Sequence, residues 1–283
     1  MNRLSTDARS RVLACLCEGV SQRATVRLTG VAKGTVARLA VELGRACERF
    51  ADRVMVNLPC ERIQCDEIWA FVGCKERQKK SAKLEHPGDV WTWVAIDPET
   101  KLIPRWFVGD RSADSAYKFL RSLSPRLAKR VQLTTDGHSA YLIAVEAAWC
   151  MQHIDYAMLV KLYGNTTAEG KYSPGEVIGT RKEIISGSPD ETLVCTSHVE
   201  RSNLTMRMQM RRFTRLTNAF SKKFENHRLA CAVHFIHYNF CRVHQTLRVT
   251  PAMAAGLADH VWSLAEMVGL LVAEEATALR LAA

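Results

Sequence analysis

Three acidic residues of this chain occupy positions where a carboxylate is costly or conspicuous. Asp66 lies in the middle of an apolar run, ERIQCDEIWAFV, where an ionised group needs a compensating charge. Asp136 closes a second apolar run, VQLTTDGH, at the carboxyl end of a strand, where ligand-binding residues of mixed sheets gather. Glu200 opens a long helical segment, HVERSN. The three are too far apart in the chain to pair within one element, so only the fold can bring them together. Like charges sharing a site repel and raise one another's pKa, an arrangement that makes sense around a divalent cation. Oxygen donors select Mg²⁺ or Mn²⁺. Two such ions about 3.5–4 Å apart would activate the attacking oxygen and stabilise the leaving oxygen of an in-line phosphoryl displacement. The chemistry implied is that of phosphodiesters. Each acid taken singly has an ordinary reading: Asp136 as a turn residue before Gly137, Glu200 as a helix-start acid favoured by the dipole, Asp66 as the partner of an arginine.

The elements that would position these acids follow from hydrophobic periodicity. Strands are predicted over Ile63–Val72, Val90–Ile96 and Leu102–Val108, then a helix over Ala113–Leu127, a strand over Val131–Thr135, a helix over Ser139–Trp149 and a strand over Ile154–Leu162. The order is β-β-β-α-β-α-β, a mixed α/β core. Gly164–Thr192, rich in glycine and proline, reads as irregular. Helices are predicted over Ser197–Phe220 and Lys222–Cys241, and Thr250-Pro251 reads as an N-cap followed by proline at the first helical position. Projected at about 100° per residue, the first of these helices places Val199, Met206, Met210, Phe213 and Phe220 on a core face. Glu200, Arg207 and Arg211 share another stripe. Arg207, Arg211 and Arg215 would hold phosphates beside Glu200, or form the solvated face that most helical charges form.

Ahead of the β-rich region lies a helical segment. A helix is predicted over residues 6–18, ended by Gly19, and then Gln22–Thr29 and Lys33–Phe50 flank Gly30-Val31-Ala32, the length and type of a helix-turn-helix corner. Ala24, Val31, Val36 and Leu39 would pack inward, leaving Lys33, Thr35 and Arg38 to face DNA. An ordinary helical hairpin is the alternative. The formal charge of +10 on 283 residues favours a polyanionic partner, nucleic acid ahead of an anionic membrane surface. Hydrophobic residues at 47% and charged residues at 24% exclude a disordered or collagen-like chain. The sequence holds no run of about 18 apolar residues and no signal-peptide core at its start, which places the expected protein in the cytoplasm with no membrane partner. Its 10 cysteines form no paired zinc-binding pattern.

At the acids the chain resembles a known family. QCDEIW, TTDGHSAY, HVERSNLTMRMQMRRFTRLTNAFSKK and YNFCRVHQTLRVTPAMAAG are similar to the blocks of bacterial insertion-sequence transposases of the DDE type, above all the insertion-sequence-one group, over about Arg62 to Gly256. The resemblance implies a ribonuclease-H-like core with Asp66, Asp136 and Glu200 as a metal-binding triad for Mg²⁺ or Mn²⁺, two ions in all. It also implies an amino-terminal helix-turn-helix that recognises terminal inverted repeats, and a transposase that cuts element ends and joins the freed 3′-hydroxyl to target DNA. Arg201 and Asn203, inside a matching block, are further candidates for contacting DNA, and His138 is a polar turn residue of open role. The implied organisation is a helix-turn-helix domain at 1–50, a linker at 51–60, a catalytic domain at 61–245 and a helical extension at 246–283. A homodimer or larger assembly is expected, because two DNA ends must meet. A DNA-binding regulator with an idle core, or a ribonuclease-H-like nuclease without transposition, are the alternatives.

Overall fold

The computed structural model describes residues 4–81, 86–149, 153–164, 177–214 and 217–271. Three helices come first: α1 (Thr6–Cys17), α2 (Gln22–Thr29) and α3 (Lys33–Val54). Ser5 and Ser21 cap the first two, their hydroxyls accepting from the N–H of Ala8 and Ala24 at 3.2 Å, because a helix start leaves its first donors unpaired. Gly30 adopts a φ of +71° at the corner before α3, a conformation glycine reaches without strain. Val12, Leu13, Val31, Val36, Leu39 and Leu43 are buried. Ala24 is only half-buried, and Thr25 takes the fully enclosed place on α2.

Residues 51–60, expected as a linker, are built into the structure. The third helix runs past Phe50 to Val54, and Ala51, Met55, Leu58 and Cys60 are buried. The guanidinium of Arg126 donates to the carbonyls of Ala51 (3.1 Å) and Met55 (3.0 Å) and pairs with Asp52 at 2.5 Å. A cation at a helix carboxyl end satisfies the orphan carbonyls there.

The sheet is mixed and six-stranded, in the order β3-β2-β1-β4-β5-β6. Its strands are β1 (Arg62–Val72), β2 (Gly88–Ile96), β3 (Arg105–Gly109), β4 (Gln132–Asp136), β5 (Asp155–Tyr163) and β6 (Val177–Ser186). Strands β1, β2 and β3 are successively antiparallel, β4 runs parallel to β1, β5 parallel to β4, and β6 antiparallel to β5. Helices α4 (Ala113–Leu123) and α5 (Ala140–Trp149) cover one face, where Trp93 of β2 meets Phe119 at 6.2 Å and Tyr141 at 5.3 Å between ring centroids. Helices α6 (Ser197–Gln209) and α7 (Phe224–Ile236) cover the other, with Trp106 of β3 against Phe235 at 5.0 Å.

Several boundaries differ from the sequence expectation, each for a physical reason. Strand β3 starts at Arg105, because the preceding Ile103 gives its N–H and carbonyl to the buried amide of Asn239, both at 3.0 Å, instead of to the ladder. The stretch Gly164–Thr192 is not irregular throughout: it contains β6, an edge strand whose residues are mostly exposed and so carry no alternating apolar signal. The helix expected over Ser197–Phe220 stops at Gln209, and a 3-10 turn over Arg211–Phe213 follows. Met206, Met210 and Phe213 are nevertheless buried, so the helical period survives in burial after the helix itself has ended. The next helix begins at Phe224 and passes into a π-helical turn over His237–Cys241. Thr250 caps the short α8 (Pro251–Ala254), accepting from the N–H of Met253 at 3.2 Å, and a last described helix covers 264–271. No helix among the described residues is long and apolar enough to cross a membrane.

The amino-terminal helices join the rest through two close backbone approaches. A Cβ on Gly44 of α3 would lie 2.6 Å from the Cβ of Leu229 on α7, and one on Gly19 would lie 2.5 Å from the carbonyl oxygen of Gln209, the last residue of α6. Overpacking a close-packed contact costs about 1–3 kcal/mol. Gly44→Val is therefore expected to lower unfolding stability by that amount in urea titration; an unchanged midpoint would show that α3 and α7 do not pack as described.

Candidate active site

Strand β1 carries the centre of the site. Because β1 and β4 run parallel with Cys65 opposite Thr135, the next residue on each strand, Asp66 and Asp136, is an acid at neighbouring positions. Oxygens of Asp66, Glu67 and Asp136 all lie within 4.8 Å of one another. Asp66 accepts the N–H of Glu67 at 2.8 Å and the side-chain amide N–H of Asn203 at 2.9 Å. Asp136 accepts the N–H of His138 at 3.1 Å, which leaves His138 as the turn residue leading into α5.

Helix α6 is fastened to this strand at two points. The amide oxygen of Gln64, two residues before Asp66 on the same face, accepts from the N–H of His198 (3.0 Å) and Val199 (3.2 Å). It caps the start of a helix whose own Thr196 provides no side-chain cap. Asn203 to Asp66 is the second point. Glu200, in the first turn between them, lines with Asp66, Glu67, Asn203 and Arg207 a cavity of about 210 Å³. Its carboxylate is held by Lys161 of β5 at 2.7 Å and by the hydroxyl of Thr196. The three sequence-predicted acids thus come to one region, with Glu200 beside the tight group of three and not inside it.

Glu67 is the residue the sequence reading missed. Strand alternation sends it to the face opposite Asp66, and there its fully enclosed side chain pairs with Arg111 (2.8 Å) and accepts from the hydroxyl of Tyr141 on α5 (3.2 Å), with an oxygen still within 4.8 Å of those of Asp66 and Asp136. The only signal was a second acid in an apolar strand. Gln64, Lys161 and Arg111 were likewise unmarked, because their roles depend on elements distant in sequence.

Electrostatics reflect this crowding. Burial, and then the neighbouring Asp136, push Asp66 up to about 6, while the hydrogen bonds from Glu67 and Asn203 pull the other way. Burial followed by Asp136 and Asp66 push Glu67 up to about 7, against the opposing pull of Arg111. A site that raises its own carboxylates is short of positive charge.

The other candidates divide by location. Lys33 and Arg38 are exposed on α3 and Thr35 is half-buried beside them; Arg201 is exposed on α6. Asn203, a candidate for contacting DNA, is buried and bound to Asp66. Arg207 lines the acid cavity, but Arg211 lies past the helix end and lines a second cavity near Lys33, so the two do not form one stripe. Arg215 lies outside the described residues.

With this geometry in place, comparison with known proteins adds one relative. No family model matches the chain. Its sequence is 24% identical over 164 residues to the insertion element iso-IS1n protein InsB of Shigella dysenteriae, an alignment covering 58% of this chain and 86% of that protein. The chain is similar to an insertion-element protein.

The raised acids set a pH dependence. Their folded pKa values exceed the ordinary ones, so the folded chain holds these protons more tightly than the unfolded chain, and stability falls as pH rises from about 4 and levels off above about 7. Asp66→Asn removes one repelling charge and is expected, in chelator at pH 8, to raise the thermal midpoint by about 2–4 °C. At pH 5, between the unfolded and folded pKa values, the gain should be smaller, and it should vanish only below about pH 4, where the unfolded carboxyl is protonated too. A variant less stable than the parent at pH 8 would show that Asp66 is already compensated.

Proposed function

We propose that this chain is a DDE transposase with a ribonuclease-H-like core, cutting DNA at the ends of an insertion element and joining the 3′-hydroxyl to target DNA. The observation that carries the reading is that Asp66 has Asp136 beside it on the adjacent parallel strand and faces Glu200 of α6 across the cavity the two line. The similarity to InsB supports it, as does the β-β-β-α-β-α-β order of the core.

The donor set fits Mg²⁺ or Mn²⁺, two ions in the proposed reaction. Every candidate ligand is a hard oxygen, and among the described residues the buried amide oxygen of Asn203 has no hydrogen-bond partner. Bound there, divalent cations would activate water and then the 3′-hydroxyl, and stabilise the leaving oxygen of each phosphodiester step. Asp66 and Asp136 would hold the shared position and Glu200 complete the site. Asn203 keeps the Asp66 carboxylate turned toward Asp136, and Gln64 fixes the register of α6 so that Glu200 stays on the same side. Arg207, on the cavity wall, is placed to meet the phosphodiester. No residue is asked to form a covalent intermediate.

On the three-helix head, Lys33, Thr35 and Arg38 at the start of α3 present the helix-turn-helix contacts to terminal repeats, and Arg201 extends the DNA-facing surface along α6. Pairing of two ends requires at least a homodimer. Asp66→Asn and Glu200→Gln are each expected to lower Mg²⁺-dependent cleavage of duplexes carrying candidate terminal repeats by at least about 10³-fold while keeping repeat binding. Full activity in either variant contradicts the proposal. Binding without cleavage in the parent chain would favour a DNA-binding regulator, and hydrolysis without joined products a nuclease.

A further inference from the structure

A second cavity, of about 540 Å³, opens between α3 and the segment that follows α6. Arg23 and Lys33 line it from the head, and Arg211, Arg212 and Lys222 from the core; no Asp or Glu appears among its described lining residues. Arg212 differs from its neighbours. It is only partly accessible, and burial pulls its pKa down. Among the described residues no carboxylate pairs with it: its recorded partner is the hydroxyl of Ser221, at 2.6 Å. Ser221 is itself buried and immobilised, its carbonyl accepting the N–H of Gly73 at 2.8 Å just past β1 and its hydroxyl meeting Nδ1 of the enclosed His227 at 3.3 Å. That histidine is pushed down to about 3 by burial and by Arg212, so it is neutral at physiological pH and offers no counter-charge. Lys222 is held over the ring of Phe220, 4.1 Å from its centroid.

A guanidinium removed from water without a carboxylate is expensive. Four more cations around the same space raise that cost by mutual repulsion, unless an anion enters. The planar fork of arginine suits an oxyanion with two oxygens to offer, and phosphate is the one it binds best. We infer that this cavity is a phosphate-oxyanion site, held by Arg212 and Ser221 and flanked by Lys222, Arg211 and Lys33. The inference deepens the proposed function, since with DNA on α3 the oxyanion is a backbone phosphodiester running between head and core. It requires no strand cleavage, and its test uses no divalent metal, so the two can fail separately.

The full-length chain in chelator is unfolded thermally in inorganic phosphate and in chloride of matched ionic strength. Phosphate should raise the wild-type midpoint by at least about 2 °C over chloride. Arg212→Met should abolish that gain and Lys222→Gln, an exposed position where misfolding is not at issue, should reduce it. Equal gains in the wild type and both variants, or no gain in the wild type, would overturn the site; if Arg212→Met does not fold, the Lys222→Gln result decides. In parallel, binding of a labelled duplex is measured across salt concentrations. Arg212→Met should bind roughly ten-fold more weakly, with a log–log salt slope smaller by about 1. Arg121→Met, on α4 at the opposite face of the sheet, should leave both unchanged. A phosphate gain that depends on Arg212 with an unaltered duplex slope assigns the site to free phosphate and removes it from the DNA path.

Discussion

A largely buried carboxylate at the middle of a strand, beside two more carboxylates, loses hydration and gains repulsion that two hydrogen bonds only partly offset, and the arrangement of this chain follows from holding it there. Asp66 cannot relax away, because β1 is flanked on both sides by β2 and β4. Parallel pairing with β4 brings Asp136 alongside. Glu67 adds a third negative group, partly balanced by Arg111. Such an assembly is retained against its cost where a cation or a reacting group repays it. Both the raised carboxylates and the unpartnered amide oxygen of Asn203 express one shortage of positive charge.

Helix α6 links that site to the head. Its first turn is bound to β1 through Gln64, its second through Asn203, and its final carbonyl abuts Gly19 between α1 and α2. A helix of 13 residues spans about 20 Å, so one rigid element runs from the acids to the edge of the head. Meanwhile α3 rests on α7 at Gly44 and is capped by Arg126 at its far end. Head and core are therefore joined by close-packed backbone, with the basic cavity between them. DNA held on α3 would be set at a defined distance from the acids rather than delivered by a flexible tether.

The sheet was legible where its residues are buried on both faces, as in β1, β2 and β4, because continuous apolar runs leave little else possible. Asp66, Asp136 and Glu200 stood out because they interrupt apolar runs or open a helix, and the fold brings them to one region. Strand β6 was not, since an edge strand reading VIGTRKEIIS exposes most of its side chains and resembles a loop. The end of α6 was hidden for the opposite reason: Met206, Met210 and Phe213 keep helical spacing after the backbone has left the helix. Glu67 escaped because alternation assigns it to the opposite, α5-covered face and says nothing of how near its carboxylate lies to Asp66 and Asp136. The cap from Gln64 and the pairing of Arg212 with Ser221 depend on contacts that no local pattern encodes.

All of this rests on the claim that the acids of β1, β4 and α6 form one cation site. The most direct measurement is anomalous diffraction from crystals of the chain grown with Mn²⁺. The account predicts a manganese peak within coordination distance, about 2.0–2.6 Å, of carboxylate oxygens from both Asp66 and Asp136, lost in Asp66→Asn. Manganese absent from that position at saturating concentration, with Asp66 and Asp136 still side by side, would contradict it.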